Sequence, residues 1–327
     1  MDYHDRVYGA VSIREPVLLE LITSPSLQRL KGIDQAGYAE PWWPGTKHSR
    51  FEHSLGVMLL LQRYGAPLPE QIAGLLHDAS HTAFSHCIDY ALDGGSPTRQ
   101  DHQDNALPEY LRRSEVPAIL QRYGFSLANL LDDRNFPLKE QPLPELCADR
   151  LDYAMRDGLV YRLATAADVA LLLQELTVIN GRWAFASYPA AKRFAELFSR
   201  LNRDCYAGVK TAAMFSSVGG YLRHAISYGY LTPDDLYGTD EQVLSKIAVR
   251  HTQDSTLREL FARMDGKVPF RTDGTEHALR VVCKSRVVDP ACWHNGKLLR
   301  VSEIDSHWAT VVREESKPKE YFIKFSK

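Results

Sequence analysis

The sequence of 327 residues lacks several features that define whole classes of protein. It contains no run of about 18 apolar residues, so a membrane-spanning helix is not expected. Its start, MDYHDRVYGA, lacks the charged and then apolar pattern of a signal peptide, and we therefore predict a cytoplasmic protein. The five cysteines include no Cys-x-x-Cys pair, which favours reduced thiols over a disulfide framework or a cysteine metal site.

An excess of charge of either sign is also missing. The formal net charge of -2 argues against a generally basic protein that binds nucleic acid, although local basic patches stay compatible with it. Neither a glycine-rich phosphate loop nor a Gly-x-Ser-x-Gly nucleophile elbow occurs. Hydrophobic residues make up 44% of the chain, which is typical of a folded globular protein with a sizeable core.

Histidine, by contrast, is concentrated in one part of the chain. Six of the twelve histidines lie between His48 and His102. Histidine is the commonest metal ligand in proteins and the usual acid or base near neutral pH. Such clustering indicates a metal site or a catalytic site in this stretch.

The spacing of hydrophobic residues predicts a mainly α-helical protein with a small α+β tail. Helices are predicted over residues 15–31 with a break at Ser24-Pro25, and over 51–64, 69–78, 145–161, 165–179 and 190–228. Residues 38–50, 93–98 and 132–144 are predicted as connections. Alternation predicts strands at 278–282, 308–312 and 321–325. We place a helical domain at residues 1–230 and an α+β extension at 231–327.

The pair His77-Asp78 ends an apolar run, residues 72–76, that should be buried. A charged aspartate is seldom fully buried unless it is paired or binds a metal. Taken alone, such a pair is more often a hydrogen-bonded helix end than a metal site. The context favours the metal, because His53 lies just upstream in an amphipathic helix and Asp149 begins another helix downstream.

The downstream helix carries a chemically mixed face. Three- and four-residue spacing places Asp149, Asp152, Tyr153, Arg156 and Asp157 on one side of it. A solvated face with ion pairs is the ordinary interpretation of such a pattern. The wall of a site is the alternative, and the sequence pattern alone leaves both open.

The motifs resemble a known family. The order His, His-Asp, Asp is the signature of the HD phosphohydrolase superfamily. WWPGTKHSRFEHSLGV, GLLHDASHTAFSH and ADRLDYAMRD, together with SPSLQRLKGIDQAG upstream, resemble the deoxynucleoside triphosphate triphosphohydrolases of that superfamily. The resemblance runs from about residue 5 to 160. It implies an HD-domain helical core, to which the C-terminal α+β extension is added, and a phosphohydrolase that acts on nucleotides.

The resemblance also assigns roles to residues. It implies that His53, His77, Asp78 and Asp149 bind one divalent metal, which could be Fe, Mn, Zn, Ni or Mg. It implies catalytic roles for Arg50, His81, His102 as general acid and Asp89 as the carboxylate that orients it. It implies that the substrate contacts Gln35, Arg50, His86, Arg150, Tyr153 and Asp157.

Several alternatives stay open. The preferred reaction releases deoxynucleoside and tripolyphosphate, but the same site would serve a nucleoside monophosphatase or a phosphodiesterase. His81, His86 and His102 could complete a second metal site, and a histidine in a surface loop is the ordinary alternative for His102. A nucleotide sensor without turnover is the alternative from another class. The family favours a homo-oligomer, which we take to be a dimer.

Other features depart from the family or have ordinary explanations. Thr23 replaces an aspartate that recognises guanine in regulated members, so nucleotide activation is not expected. Trp42-Trp43 is expected to pack rather than to stack on a base. The segment Lys284-Ser285-Arg286-Val287-Val288-Asp289-Pro290 loosely resembles the C-terminal extension of related bacterial proteins, and a strand with solvated charges explains it at least as well as a regulatory role does.

Overall fold

The computed structural model describes residues 1–274 and 279–326. Its fold is mainly α-helical, as predicted. The helices are α1 (Pro16–Thr23), α2 (Pro25–Arg29), α3 (Arg50–Arg63), α4 (Leu68–Leu76), α5 (His102–Arg113), α6 (Val116–Arg122), α7 (Leu127–Leu130), α8 (Ala148–Val160), α9 (Ala166–Glu175), α10 (Tyr188–Leu201), α11 (Val209–Ser227), α12 (Asp240–Ala248), α13 (Ser255–Met264), α14 (Val301–Ile304) and α15 (Ser306–Glu315). None of the helices within the described ranges has the length and hydropathy of a transmembrane span.

The strands form three small sheets. They are β1 (Asp2–Asp5), β2 (Gly9–Ser12), β3 (Leu176–Ile179), β4 (Arg182–Phe185), β5 (Phe270–Thr272), β6 (Leu279–Cys283), β7 (Ala291–His294), β8 (Lys297–Arg300) and β9 (Lys319–Phe325). The first two strands form an N-terminal hairpin, the sheet order of the second group is β3-β4-β7-β8, and that of the third is β5-β9-β6. The strands predicted at 278–282 and 321–325 are confirmed, except that Ala278 lies outside the described residues.

Three helices carry most of the candidate site. Helix α3 begins at Arg50 because Ser49 Oγ accepts the backbone N–H of Glu52 at 3.3 Å. It is buried on nearly every side and packs against both α4 and α8. Helix α4 ends at Leu76, so that His77 and Asp78 follow directly on its buried apolar run. Packing thus brings the end of α4 and the start of α8 to α3.

The C-terminal part is packed onto the helical body. Strand β7 lies parallel to β4, with Ala184 opposite Ala291 and Phe185 opposite Cys292. Val288 and Trp308 are buried in the same hydrophobic cluster as the side chains of α3. The domain boundary at residue 230 stays a prediction, and close packing joins the two sides of it.

Three predicted elements differ from the structure. Residues 308–312 form part of α15 and not a strand, because Asp305 Oδ1 caps the helix by accepting the N–H groups of His307 and Trp308. Trp308 is buried, and Val311 and Val312, three and four residues later on the same helical face, are partly buried. Residues 176–179 form β3 rather than the end of α9, and residues 190–228 are divided by a π-helical turn, Asn202–Tyr206. The predicted break at Ser24-Pro25 is confirmed.

Candidate metal centre

The four side chains predicted as metal ligands lie together. His53 Nε2 is 2.9 Å from Asp149 Oδ1 and 3.7 Å from Asp78 Oδ2. His77 Nε2 is 3.4 Å from Asp149 Oδ1 and 3.4 Å from Asp78 Oδ1. One ligand atom each of His53, His77 and Asp149 lies within 4.8 Å of the others. Three distant stretches of chain therefore meet at one point.

The donor set fits a divalent cation. Two imidazoles and two carboxylates suit several transition metals and leave positions open for water and substrate. His77 Nε2 is buried and has no hydrogen-bond partner among the described residues, which is the condition that a bound cation would relieve. His53 and Asp78 are also buried, so their charges and dipoles need partners inside the protein.

Hydrogen bonds on the far side of each imidazole fix its orientation. His53 Nδ1 lies 2.8 Å from Asp152 Oδ2, and His77 Nδ1 lies 2.7 Å from the carbonyl oxygen of Gly74. When Nδ1 donates to these oxygens, Nε2 of each ring is left as an acceptor that faces the common point. Such outer partners of metal-binding histidines set the tautomer and strengthen the ligand.

Charged neighbours hold the carboxylates ionised. Arg50 donates from Nη1 to Asp78 Oδ2 at 2.6 Å. Although burial opposes the charged form, His77 and Arg50 hold the pKa of Asp78 well below its usual range. Burial likewise opposes a charged His53, but the carboxylates of Asp149 and Asp152 raise its pKa to about 10, so a cation that binds Nε2 would displace a proton from it. The cluster is thus a dense set of opposite charges away from water.

A buried network supports this cluster from behind. Arg156 is fully buried between Asp152, at 2.9 Å, and Asp5, at 3.1 Å. Tyr8 donates its hydroxyl to Asp152 Oδ1 at 2.8 Å. Gly56 of α3 faces this network, and a Cβ atom at that position would overlap the Arg156 and Asp152 side chains. Of the mixed face predicted on α8, Asp152 and Arg156 therefore form a buried ion pair rather than a solvated one.

A cavity of about 180 Å³ opens over the cluster. It is lined by nine of the predicted site residues, namely Gln35, Arg50, His77, Asp78, His81, His86, Asp149, Arg150 and Tyr153. The sequence interpretation missed further lining residues, namely Gln100, Gln103, Asp104, Glu140, Leu143, Lys284 and Arg286. The charged pattern Lys284-Ser285-Arg286 was visible in the sequence, but nothing there placed it near the histidines.

An aromatic chamber of about 90 Å³ adjoins this cavity. Its aromatic lining is Tyr153, Tyr161, Tyr206 and Phe215. The residues that it shares with the cavity are Gln35, Arg50, His86, Gln100, Tyr153 and Arg286. The predicted substrate residue Asp157 lies here and not in the cavity over the cluster. Its carboxylate accepts from Tyr206 at 2.7 Å and lies 3.1 Å from His48 Nε2.

The remaining histidines take different places. His81 lies 3.3 Å from Asp78, and burial together with Arg50 lowers the pKa of His81 to about 3. The His86 ring packs edge-on against His81, with 5.1 Å between centroids. His102 begins α5 and is absent from the cavity lining given above, whereas Asp104 of the same turn is part of it. Among the described residues, His81, His86 and His102 do not form a metal-binding group.

Asp89 lies beside His86 and also near the backbone N–H of His102 at the start of α5. Its Oδ2 is 3.6 Å from His86 Nδ1, and no ion pair joins it to the His102 ring within the described part of the chain. Burial raises the pKa of Asp89 to about 6. A larger cavity, of about 720 Å³, lies on the other side of Asp89 and Tyr90, but it has no histidine in its wall.

Trp42 and Arg150 are both held in place by polar contacts with neighbouring residues. Trp42 is buried and donates to the carbonyl oxygen of Met264 at 2.9 Å, so it packs as predicted. Arg150, predicted to contact substrate, lines the cavity but is held by Glu140 at 3.0 Å.

This fold and this set of donor atoms define a helical hydrolase of the HD-domain class. Residues 50–156 match the family model described as HD domain, and the chain belongs to the HD-domain phosphohydrolase superfamily, whose members are metal-dependent hydrolases.

Two curated relatives match almost the whole chain. The uncharacterized protein YdhJ of Bacillus subtilis is 34% identical over 93% of this chain and 92% of its own. The metal-dependent phosphohydrolase cns2 of Cordyceps militaris is 30% identical over 90% of this chain and 85% of its own. The deoxynucleoside triphosphate triphosphohydrolase SAMHD1 of Gallus gallus is 38% identical, but over only 38% of this chain and 24% of that protein.

Solved structures share the fold over its full length. A hypothetical protein from Aquifex aeolicus superposes with a TM-score of 0.76 at 21% identity, covering 99% of this chain and 96% of that one. A phosphohydrolase from Bacteroides thetaiotaomicron superposes with a TM-score of 0.72 at 18% identity, covering all of both chains. At these identities the likeness concerns the fold alone.

Proposed function

We propose that this protein hydrolyses nucleotides with one divalent metal bound by His53, His77, Asp78 and Asp149. The preferred reaction is the conversion of a deoxynucleoside triphosphate to deoxynucleoside and tripolyphosphate. The observation that carries the proposal is the convergence of these four side chains beneath a cavity with four cationic side chains in its wall.

The charge of the cavity favours a polyanionic substrate. Its wall holds four carboxylates, Asp78, Asp104, Glu140 and Asp149, and four cations, Arg50, Arg150, Lys284 and Arg286. These formal charges balance, so a bound divalent cation leaves the cavity positive. A chain of phosphates supplies the compensating charge, and the adjoining aromatic chamber offers apolar faces for a nucleoside.

The side chains divide the chemical work. When bound, the metal supplies positive charge to the phosphoryl group and acidifies a water molecule. Arg50, fixed by Asp78, orients a phosphate oxygen and stabilises the charge that develops on it. His86, supported by Asp89, supplies the proton that the departing oxygen needs. This assignment gives His86 the part that the family resemblance gave to His102, because His86 lines the cavity.

A bound polyanion would prepare His86 for that part. Burial lowers the pKa of His86 well below its usual value, and repulsion from Arg50 and Arg286 lowers it further. Phosphate oxygens among the same cations would offset that repulsion and favour the protonated ring. Proton donation is thereby tied to the presence of substrate.

The test is a screen of metals against nucleotides in which the products are identified by chromatography. Release of tripolyphosphate and deoxynucleoside supports the proposal. Release of orthophosphate from a monophosphate would instead support the monophosphatase alternative. Cleavage of cyclic or oligomeric nucleotides would support a phosphodiesterase. Tight nucleotide binding by metal-loaded protein without any product would favour the sensor. The homodimer stays a prediction, to be checked by light scattering.

A further inference from the structure

The C-terminal part of the chain reaches the cavity through Lys284 and Arg286. Both side chains line the cavity over the proposed metal ligands. They lie far along the chain from the HD motifs, which fall within residues 50–156. The residue between them, Ser285, is buried and points elsewhere: its hydroxyl donates to the carbonyl oxygen of Glu315 at 2.6 Å. Alternation along an extended segment thus directs two cations to the same side.

A buried asparagine fixes this segment in place. Asn202 is fully buried in the π-helical turn between α10 and α11. Its Nδ2 donates to Ser285 Oγ at 2.9 Å, and its Oδ1 accepts the backbone N–H of Arg286 at 2.8 Å. The amide side chain therefore clamps the backbone beside both cations. Such support is expected for a binding site, where side chains must be held before the ligand arrives.

Lys284 and Arg286 differ from the other two cations of the cavity in their partners. Arg50 is paired with Asp78 at 2.6 Å, and Arg150 with Glu140 at 3.0 Å. Among the described residues, neither Lys284 nor Arg286 has a carboxylate within ion-pair distance. Lys284 donates to the carbonyl oxygen of Arg99 at 2.5 Å, and Arg286 donates to Gln100 Oε1 at 2.7 Å.

Neutral partners leave Lys284 and Arg286 without a direct ion pair, although Asp104 and Asp149 attract Lys284 from a greater distance. Half-buried cations that face each other repel, and burial together with Arg286 lowers the pKa of Lys284 to about 8. An arrangement of this kind is costly for the protein alone, and it becomes favourable when an anion enters.

We propose that Lys284 and Arg286 form a second anion subsite, which binds the phosphates of a polyphosphate chain that lie away from the metal. The inference rests on the proposed function and deepens it, since it names the residues that select a chain of phosphates over a single one. Arg50 and the bound metal contact the phosphate that reacts, whereas Lys284 and Arg286 bind the other phosphates of the chain.

The test measures binding of inorganic tripolyphosphate and of orthophosphate to the metal-loaded protein by calorimetry. The variants are Lys284→Gln and Arg286→Gln, with Lys284→Arg as the conservative substitution and Lys297→Gln, at an exposed position of β8, as the matched control. Loss of one charge-assisted contact is expected to weaken tripolyphosphate binding about tenfold. Orthophosphate binding should change by less than about twofold, and both Lys284→Arg and the control should bind like the parent protein.

A purely structural role for the segment predicts another result. Lys284 and Arg286 also tie down Arg99 and Gln100, so a structural role would lower the melting temperature of the glutamine variants and weaken both anions alike. Equal losses for the two anions, or unchanged tripolyphosphate binding in folded variants, would overturn the subsite. Calorimetry measures binding without turnover, so the two proposals can be told apart. The anion subsite can be supported even if nucleotide hydrolysis releases no tripolyphosphate, and it can be refuted while that hydrolysis is observed.

Discussion

His53 and Asp152 form a hydrogen bond of 2.8 Å on the side of the imidazole that faces away from the proposed metal. This contact makes Nδ1 the donor and leaves Nε2 for the cation. Substitution Asp152→Asn removes the charge that fixes the tautomer, and loss of such an outer partner is expected to weaken metal affinity by 10–100-fold, an order-of-magnitude range. Competition with a chelator measures the affinity. Asp204→Asn, on the surface, is the control, and equal affinities would refute the role of Asp152.

Gly56 is expected to be required for the packing of α3 against α8. In Gly56→Ala the added methyl group overlaps the Arg156 and Asp152 side chains, which cannot move because both are fully buried. Overpacking of this kind costs about 1–3 kcal/mol in the free energy of unfolding. Denaturant titration measures it.

The control for Gly56 is another helical glycine. At Gly220 of α11 an added methyl group meets only Leu260 Cδ2, at 3.7 Å. Gly220→Ala should therefore leave stability unchanged or raise it by up to about 1 kcal/mol, because alanine favours the helix. Equal stability of the two alanine variants would show that the close packing of Gly56 against Arg156 and Asp152 does not require glycine.

Asp89 predicts a pH dependence of activity. Burial raises the pKa of its carboxyl group to about 6, so the group is protonated below that pH and charged above it. If the charged form supports His86, kcat/KM at saturating metal should rise as the pH increases through about 6. Asp89→Asn should lower activity and remove this rise. Asp93→Asn, at an exposed position nearby, should keep it, and a rise that survives in Asp89→Asn would exclude Asp89 as its source.

The four proposed metal ligands could be named from the sequence because each lies in a motif that resembles the HD superfamily. His77-Asp78 ends a buried helix, His53 lies on the adjacent one, and Asp149 is in the first turn of α8. In the structure the four side chains converge because α3 packs against both α4 and α8. The predicted roles of the individual ligands remain to be tested.

The rest of the cavity could not be predicted in this way. Lys284 and Arg286 reach it through an irregular segment whose course depends on the buried side chain of Asn202, far away in the sequence. The spacing of hydrophobic residues along the chain does not predict a contact of this kind. His102 illustrates the limit within a helix, since Asp104 of the same turn lines the cavity and His102 does not. The error at 308–312 has a similar cause, because a short apolar pattern fits both a strand and a helix.

The metal content of purified variants tests the central claim most directly. The buried His53 keeps its contact with Asp152 in Asp149→Ala, so this substitution leaves no buried cation unpaired. Asp104→Ala removes a carboxylate from the same cavity wall without touching the four proposed ligands. Elemental analysis should find about one metal ion per chain in the parent protein and in Asp104→Ala. Asp149→Ala should lose the metal and the hydrolytic activity together. Retention of both in folded Asp149→Ala would contradict the account.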